Sequence, residues 1–140
     1  QDAPQAALAE HRAQIDILFA GETLGEIVTA LEADTGDFAK QALTKLSRNA
    51  PLSMAFTLEV LKQLRSGPSD IRRALELEYR FTSRSMEHGD FIEGIRAAII
   101  DKDKSPKWSH DLTGVPQAEV AAMLRPVTGE NVTFERRSEA

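Results

Sequence analysis

Three histidines, two carboxylates one helical turn apart and one lysine-rich run are the residues of this chain whose types could do chemistry. His11, His88 and His110 are scattered. None has a second His or a carboxylate at metal-ligand spacing on the same helix face, so no metal site is expected. The histidines read as exposed or capping side chains. Asp90 and Glu93, at i and i+3, have a spacing that a general acid/base pair could use. The same spacing is a capping pattern at a helix start, where both carboxylates lie at the favourable end of the helix dipole. Capping is the expected role. The run Asp101-Lys102-Asp103-Lys104-Ser105-Pro106-Lys107-Trp108 closes a helix. Lys102 and Lys104 there would complement the terminal carbonyls, and the alternating aspartates dilute the positive potential. Trp108, the only tryptophan, is expected to pin a chain crossing to the core.

Other chemistries leave no signature. The sequence holds no G-x-S-x-G nucleophile elbow, no G-x-G-x-x-G and no G-x-x-x-x-G-K phosphate loop, and its eight glycines are isolated. Cysteine is absent, so a thiol nucleophile, a disulfide framework and a cysteine-based zinc site are excluded. No catalytic residue and no resident cofactor is assigned within these residues.

The elements that must position the candidate residues are helical. Ile15, Leu18 and Phe19 share a face of a first helix that starts near Pro4 and ends at Gly21. Thr23-Leu24-Gly25-Glu26 is a capping box, and Leu24, Ile27, Val28 and Leu31 follow at i, i+3, i+4 and i+7. Thr35-Gly36-Asp37 breaks the pattern, which Phe38, Ala42, Leu43 and Leu46 resume. Pro51 suits a first-turn position, and its helix carries Leu52, Phe56 and Leu61 to Ser66. After the turn Gly67-Pro68-Ser69, a long helix begins with Ile71, Leu75, Glu78 and Tyr79 and reaches Met86. Over 90–101 a further helix has Phe91, Ile95, Ala98 and Ile99 on one side and Ile92 and Ile100 on another, so it needs a partner beyond its own neighbours. A short helix is expected over 116–124, strand character over 132–135, and a weakly ordered tail over 126–140. Six or seven short helices without a sheet make an all-α unit.

The chain's 140 residues amount to one domain, with 41% apolar and 28% charged side chains. Seventeen basic against 22 acidic residues leave a net charge of −5, which argues against nucleic acid as partner. Uninterrupted apolar runs such as Ala97-Ala98-Ile99-Ile100 are far short of the roughly 20 residues that span a bilayer. No membrane partner and a cytoplasmic location are expected. The first residue is Gln1 rather than Met, as in a fragment or a processed product.

Four blocks stand in order along the chain: Leu18-Phe19-Ala20 with Thr23-Leu24-Gly25-Glu26-Ile27, Asn49-Ala50-Pro51-Leu52-Ser53 with Thr57-Leu58, Leu77-Glu78-Tyr79-Arg80-Phe81-Thr82-Ser83-Arg84, and the signature over 90–108. Together they resemble the 3-hydroxyisobutyryl-CoA hydrolase branch of the crotonase (enoyl-CoA hydratase/isomerase) superfamily. The ending Ile100-Asp101-Lys102-Asp103 with Pro106-Lys107-Trp108 is the part that resembles the hydrolases rather than the ordinary enoyl-CoA hydratases. Met54-Ala55-Phe56 and Gly89 depart from the family pattern, which leaves the acyl group open.

The resemblance implies that residues 1–125 are the C-terminal helical region of a crotonase-like acyl-CoA hydrolase. Their partner would be the N-terminal crotonase core of the same protein, with self-association as an added expectation. It also implies a thioester whose oxygen is held by two backbone N–H groups while a carboxylate activates water or attacks the acyl carbon, all in a core absent from these residues. Lys102 and Lys104 would then contact the phosphates of coenzyme A, which enters as part of the substrate. Two alternatives stay open: the same region of an enoyl-CoA hydratase or isomerase, and a stand-alone helical interaction module.

Overall fold

The computed structural model describes residues 7–67 and 70–127. Pro4, Pro68, Ser69, the 132–135 segment and all but the first two residues of the expected tail lie outside the described residues. Among the described residues there are eight α-helices and no strand. They are α1 (Ala7–Glu10), α2 (Arg12–Leu18), α3 (Leu24–Ala33), α4 (Asp37–Leu46), α5 (Pro51–Arg65), α6 (Ile71–His88), α7 (Phe91–Ile95) and α8 (Gln117–Met123).

Local sequence accounts for most of these boundaries. The Thr23 hydroxyl accepts a hydrogen bond from the Glu26 N–H at 3.2 Å, and the Glu26 carboxylate accepts one from the Glu22 N–H at 2.8 Å. The box therefore closes on the residue before the cap rather than on the cap itself. Pro51 opens α5 at its first turn, where a missing N–H costs nothing. Asp70 caps α6 by accepting from the Arg73 N–H at 2.8 Å, a cap without a counterpart among the sequence expectations.

Two apolar clusters meet at α5. Leu52, Phe56 and Val60 of α5 pack with Leu77 of α6 and with Val120, Met123 and Leu124 at α8. On the other side, Leu18, Ile27, Leu31 and Ala39 bring α2, α3 and α4 together, with Leu58 of α5 against them. All four residues of the Leu24, Ile27, Val28, Leu31 stripe are buried, as their spacing predicts. Full burial of a side chain such as Leu31 contributes about 1.5–3 kcal/mol. The chain leaving α8 is held by α6: Arg80 donates to the oxygen of the C-cap Leu124 at 3.1 Å and Arg84 to that of Pro126, beyond the helix, at 2.9 Å. At Leu124 a side-chain donor thereby replaces a partner that a helix end lacks.

The single helix expected over 90–101 divides in two. After α7 the chain widens into a π turn at Arg96–Ile100, and the Asp101 N–H donates to the Arg96 oxygen five residues back, at 2.8 Å. Over 91–100 only Ala97 is buried. Phe91 and Ile92 are about half exposed, and Ile99 and Ile100 are 63% and 67% exposed. The stripe of Phe91, Ile95, Ala98 and Ile99 is therefore not the covered one, because the chain returning over 104–108 lies on the Gly94 and Ala97 side instead.

Candidate functional site

The carboxylates of Asp90 and Glu93 do not cap α7. Asp90 is 7% exposed, and its Oδ1 accepts from the N–H and the hydroxyl of Ser109, at 2.9 and 2.6 Å. Glu93 accepts from the Lys107 N–H at 2.6 Å. Both side chains reach forward to the returning segment rather than back to their own helix start. Tertiary partners 14 and 19 residues away displace the local capping role.

Arg96 organises the segment between them. Its Nε and Nη2 donate to the two oxygens of Glu93 at 2.8 and 2.7 Å, a fork-to-fork pair. Its Nη1 donates to Asp101 at 2.6 Å and to Asp103 at 2.7 Å, and its Nη2 also reaches the Ser105 carbonyl at 3.2 Å. The Arg96 guanidinium, with the Lys107 N–H second, pulls the Glu93 carboxyl down to a pKa of about 2. The same guanidinium, then the Ser105 N–H, lowers that of Asp103. Arg96 itself is raised by Glu93, Asp103 and Asp101, in that order.

The alternation in this run has a structural meaning. Residues 101, 103 and 105 turn toward Arg96, while Lys102 and Lys104 between them take left-handed backbone, with φ of 57° and 53°. That conformation is costly for a residue with a Cβ. Both lysines are exposed. The aspartates that dilute the positive run in the sequence are drawn onto Arg96 in the fold. The Lys104 N–H donates to the Ala97 oxygen at 3.0 Å, so one lysine does serve a helix-end carbonyl, through its backbone.

Trp108 pins the crossing, as expected from its size. It lies against Gly94 and stands between two hollows. One, of about 400 Å³, is lined by Ser53, Phe81, Asp90, Ile95 and Trp108 among others. The second, of about 650 Å³, brings Lys104, Pro106 and Trp108 opposite Ser47 and Arg48, which follow α4. Lys102 does not line either hollow, so the two lysines are separated. Arg48 carries no motif that would mark it in the sequence, and only the fold places it here.

The histidines serve packing and pairing. His110 is mostly buried, with Nε2 3.2 Å from a Glu119 oxygen, rather than exposed or capping. His11 stacks on Phe38 with ring centroids 4.9 Å apart, and His88 lies beside Glu87. Among the described residues, no group of three or more His, Asp or Glu is placed to hold a metal. No helix among them is long and apolar enough to cross a membrane.

Comparison with known proteins fits this arrangement. The chain is 34% identical over 129 residues to the human protein named 3-hydroxyisobutyryl-CoA hydrolase, mitochondrial, an alignment covering 91% of the chain and 33% of the relative. It is 39% identical over 136 residues to the bovine protein of the same name, covering 96% and 34%. The chain thus spans about a third of the length of these relatives. Among solved structures, an enoyl-CoA hydratase from Rhodobacter sphaeroides superposes with a TM-score of 0.87 at 51% identity, over 96% of this chain and 40% of that one. A carnitinyl-CoA dehydratase from Mycobacterium thermoresistibile gives 0.84 at 32% identity, over 96% and 38%. The family model for enoyl-CoA hydratase/isomerase matches residues 1–124, and the chain belongs to that family.

Proposed function

We propose that these residues form the C-terminal helical part of an acyl-CoA thioester hydrolase of the 3-hydroxyisobutyryl-CoA type, with its catalytic core outside them. The observation that carries this reading is the alignment of nearly the whole chain with only a third of hydrolases bearing that name. The exposed band of Phe91, Ile92, Ile99 and Ile100 supports it, because a face of that kind suits a docked partner and the core of the same protein is the natural one. Lys102 and Lys104 are proposed contacts to coenzyme A phosphates. The thioester oxygen would be held, and water activated, by groups of the core.

A second reading, an enoyl-CoA hydratase or isomerase, is favoured by the 51% identity to the Rhodobacter sphaeroides protein of that name. Incubating the intact protein separately with 3-hydroxyisobutyryl-CoA and with crotonyl-CoA decides between them. Free thiol released from the first supports the hydrolase. Loss of the enoyl absorbance of the second without thiol release would replace it with the hydratase.

A further inference from the structure

We infer that the hollow lined by Phe81, Asp90, Phe91 and Trp108 binds a quaternary ammonium group. This goes beyond the reading just proposed and does not rest on it. The hollow has a volume of about 400 Å³, within the range of small-molecule sites, and brings together residues of α5, α6 and α7 with Trp108. Asp90 is the one charged residue among those that line it, and no Lys, Arg or His of the lining offsets that charge. Its Oδ1 is taken by the N–H and the hydroxyl of Ser109, while its Oδ2 is buried and has no hydrogen-bond partner. A carboxylate held in this way leaves a negative potential in an otherwise apolar and aromatic space.

Three aromatic rings share the hollow with that charge. Phe81 is fixed by Phe56, with ring centroids 4.4 Å apart, and the indole of Trp108 is placed against Gly94. Phe91, about half exposed, is the ring open to solvent. The face of such a ring attracts a cation, and a nearby carboxylate adds to the attraction. The kind of cation follows from what the lining lacks. A metal ion needs several oxygen ligands, and a single carboxylate does not supply them. A primary ammonium has three N–H groups to satisfy, and the free carboxylate oxygen is shut into the wall. A quaternary ammonium has no N–H, so it is held by field and ring faces alone, with its methyl groups against Ile95 and Ile99.

The test titrates the intact protein, at constant ionic strength, with choline and with its uncharged isostere 3,3-dimethylbutanol, followed by calorimetry. Choline binding saturates and is roughly tenfold tighter than that of the isostere, the difference being the charge. Asp90→Asn, which keeps an oxygen for Ser109, weakens choline roughly five- to tenfold and leaves the isostere unchanged. Phe91→Leu weakens choline roughly two- to fivefold, the range for one exposed ring, with the thermal midpoint of the parent protein. Should Asp90→Asn fail to fold, Phe91→Leu and the choline-to-isostere ratio decide. Equal binding of choline and isostere overturns the inference, as does choline binding left unchanged by either substitution. Phe91 and Ile99 also belong to the exposed band, so a partner that seals the band seals the hollow. A titration of the intact protein that never saturates therefore overturns the inference too, and leaves the thioester reading untouched.

Discussion

Arg96 and Glu93 form a two-pronged ion pair, at 2.8 and 2.7 Å, one turn apart on the same stretch of helix. The pair would add little if it stood alone on a surface. Here Glu93 also accepts from the backbone of Lys107, and Arg96 also grips Asp101, Asp103 and Ser105, so the pair closes a loop of chain.

That closure makes stability depend on pH. Glu93 has a pKa of about 2 in the fold against an ordinary 4.5. A group lowered on folding contributes stability that is complete above its unfolded value and is lost as pH falls through its folded one. The urea midpoint of the chain is expected to fall between about pH 4.5 and 2, with a shallower fall in Glu93→Gln. Parallel curves for the two proteins would contradict the role given to the carboxylate.

Left-handed backbone at Lys104 yields a prediction of opposite sign to most substitutions. Lys104→Gly should be more stable than Lys104→Ala by about 1 kcal/mol, because glycine has no Cβ penalty at φ 53°. Chemical denaturation of the two variants measures the difference directly.

Leu31 and Leu77 are fully buried in different clusters. Leu31→Ala and Leu77→Ala are each expected to cost about 2–5 kcal/mol, the range for deleting a buried leucine side chain. Leu75→Ala, at a position of α6 that is 41% exposed, should cost less. Urea unfolding of the three variants checks the ranking.

The uncovered face of Phe91, Ile92, Ile99 and Ile100 should make the isolated chain bind a hydrophobic dye and self-associate at micromolar concentration. Replacing Ile99 and Ile100 with Glu should abolish both behaviours. A compact, dye-silent monomer in sedimentation, with the wild-type sequence, would show that the face is covered without a partner.

Legibility in the sequence tracks the range of the forces involved. The α3 stripe and its Thr23 cap are readable because cap, spacing and burial all act within one helix. Pro51 and the short helix before Leu124 are readable for the same reason. Asp90 and Glu93 mislead, since a capping box and a long-range tether use the same residue types and only the fold brings Ser109 and Lys107 within reach. Arg48 is invisible for a related reason: its place opposite Lys104 depends on how α4 lies against the returning chain, and no local pattern encodes that. The π turn is hidden because hydrophobic spacing over five residues does not separate it from an α-helix.

The widened turn at Arg96–Ile100 works as a phase shifter. It takes up one more residue than an α-helical turn, and so sets the azimuth at which the chain leaves the helix. Removing one of Ala97, Ala98, Ile99 and Ile100 would let the turn close to ordinary pitch, absorbing a loss that in a regular helix swings the downstream chain by about 100° around the axis. The same deletion within α6, which has no widened turn, would be passed on in full. In this stretch the chain can give up a residue and keep its direction.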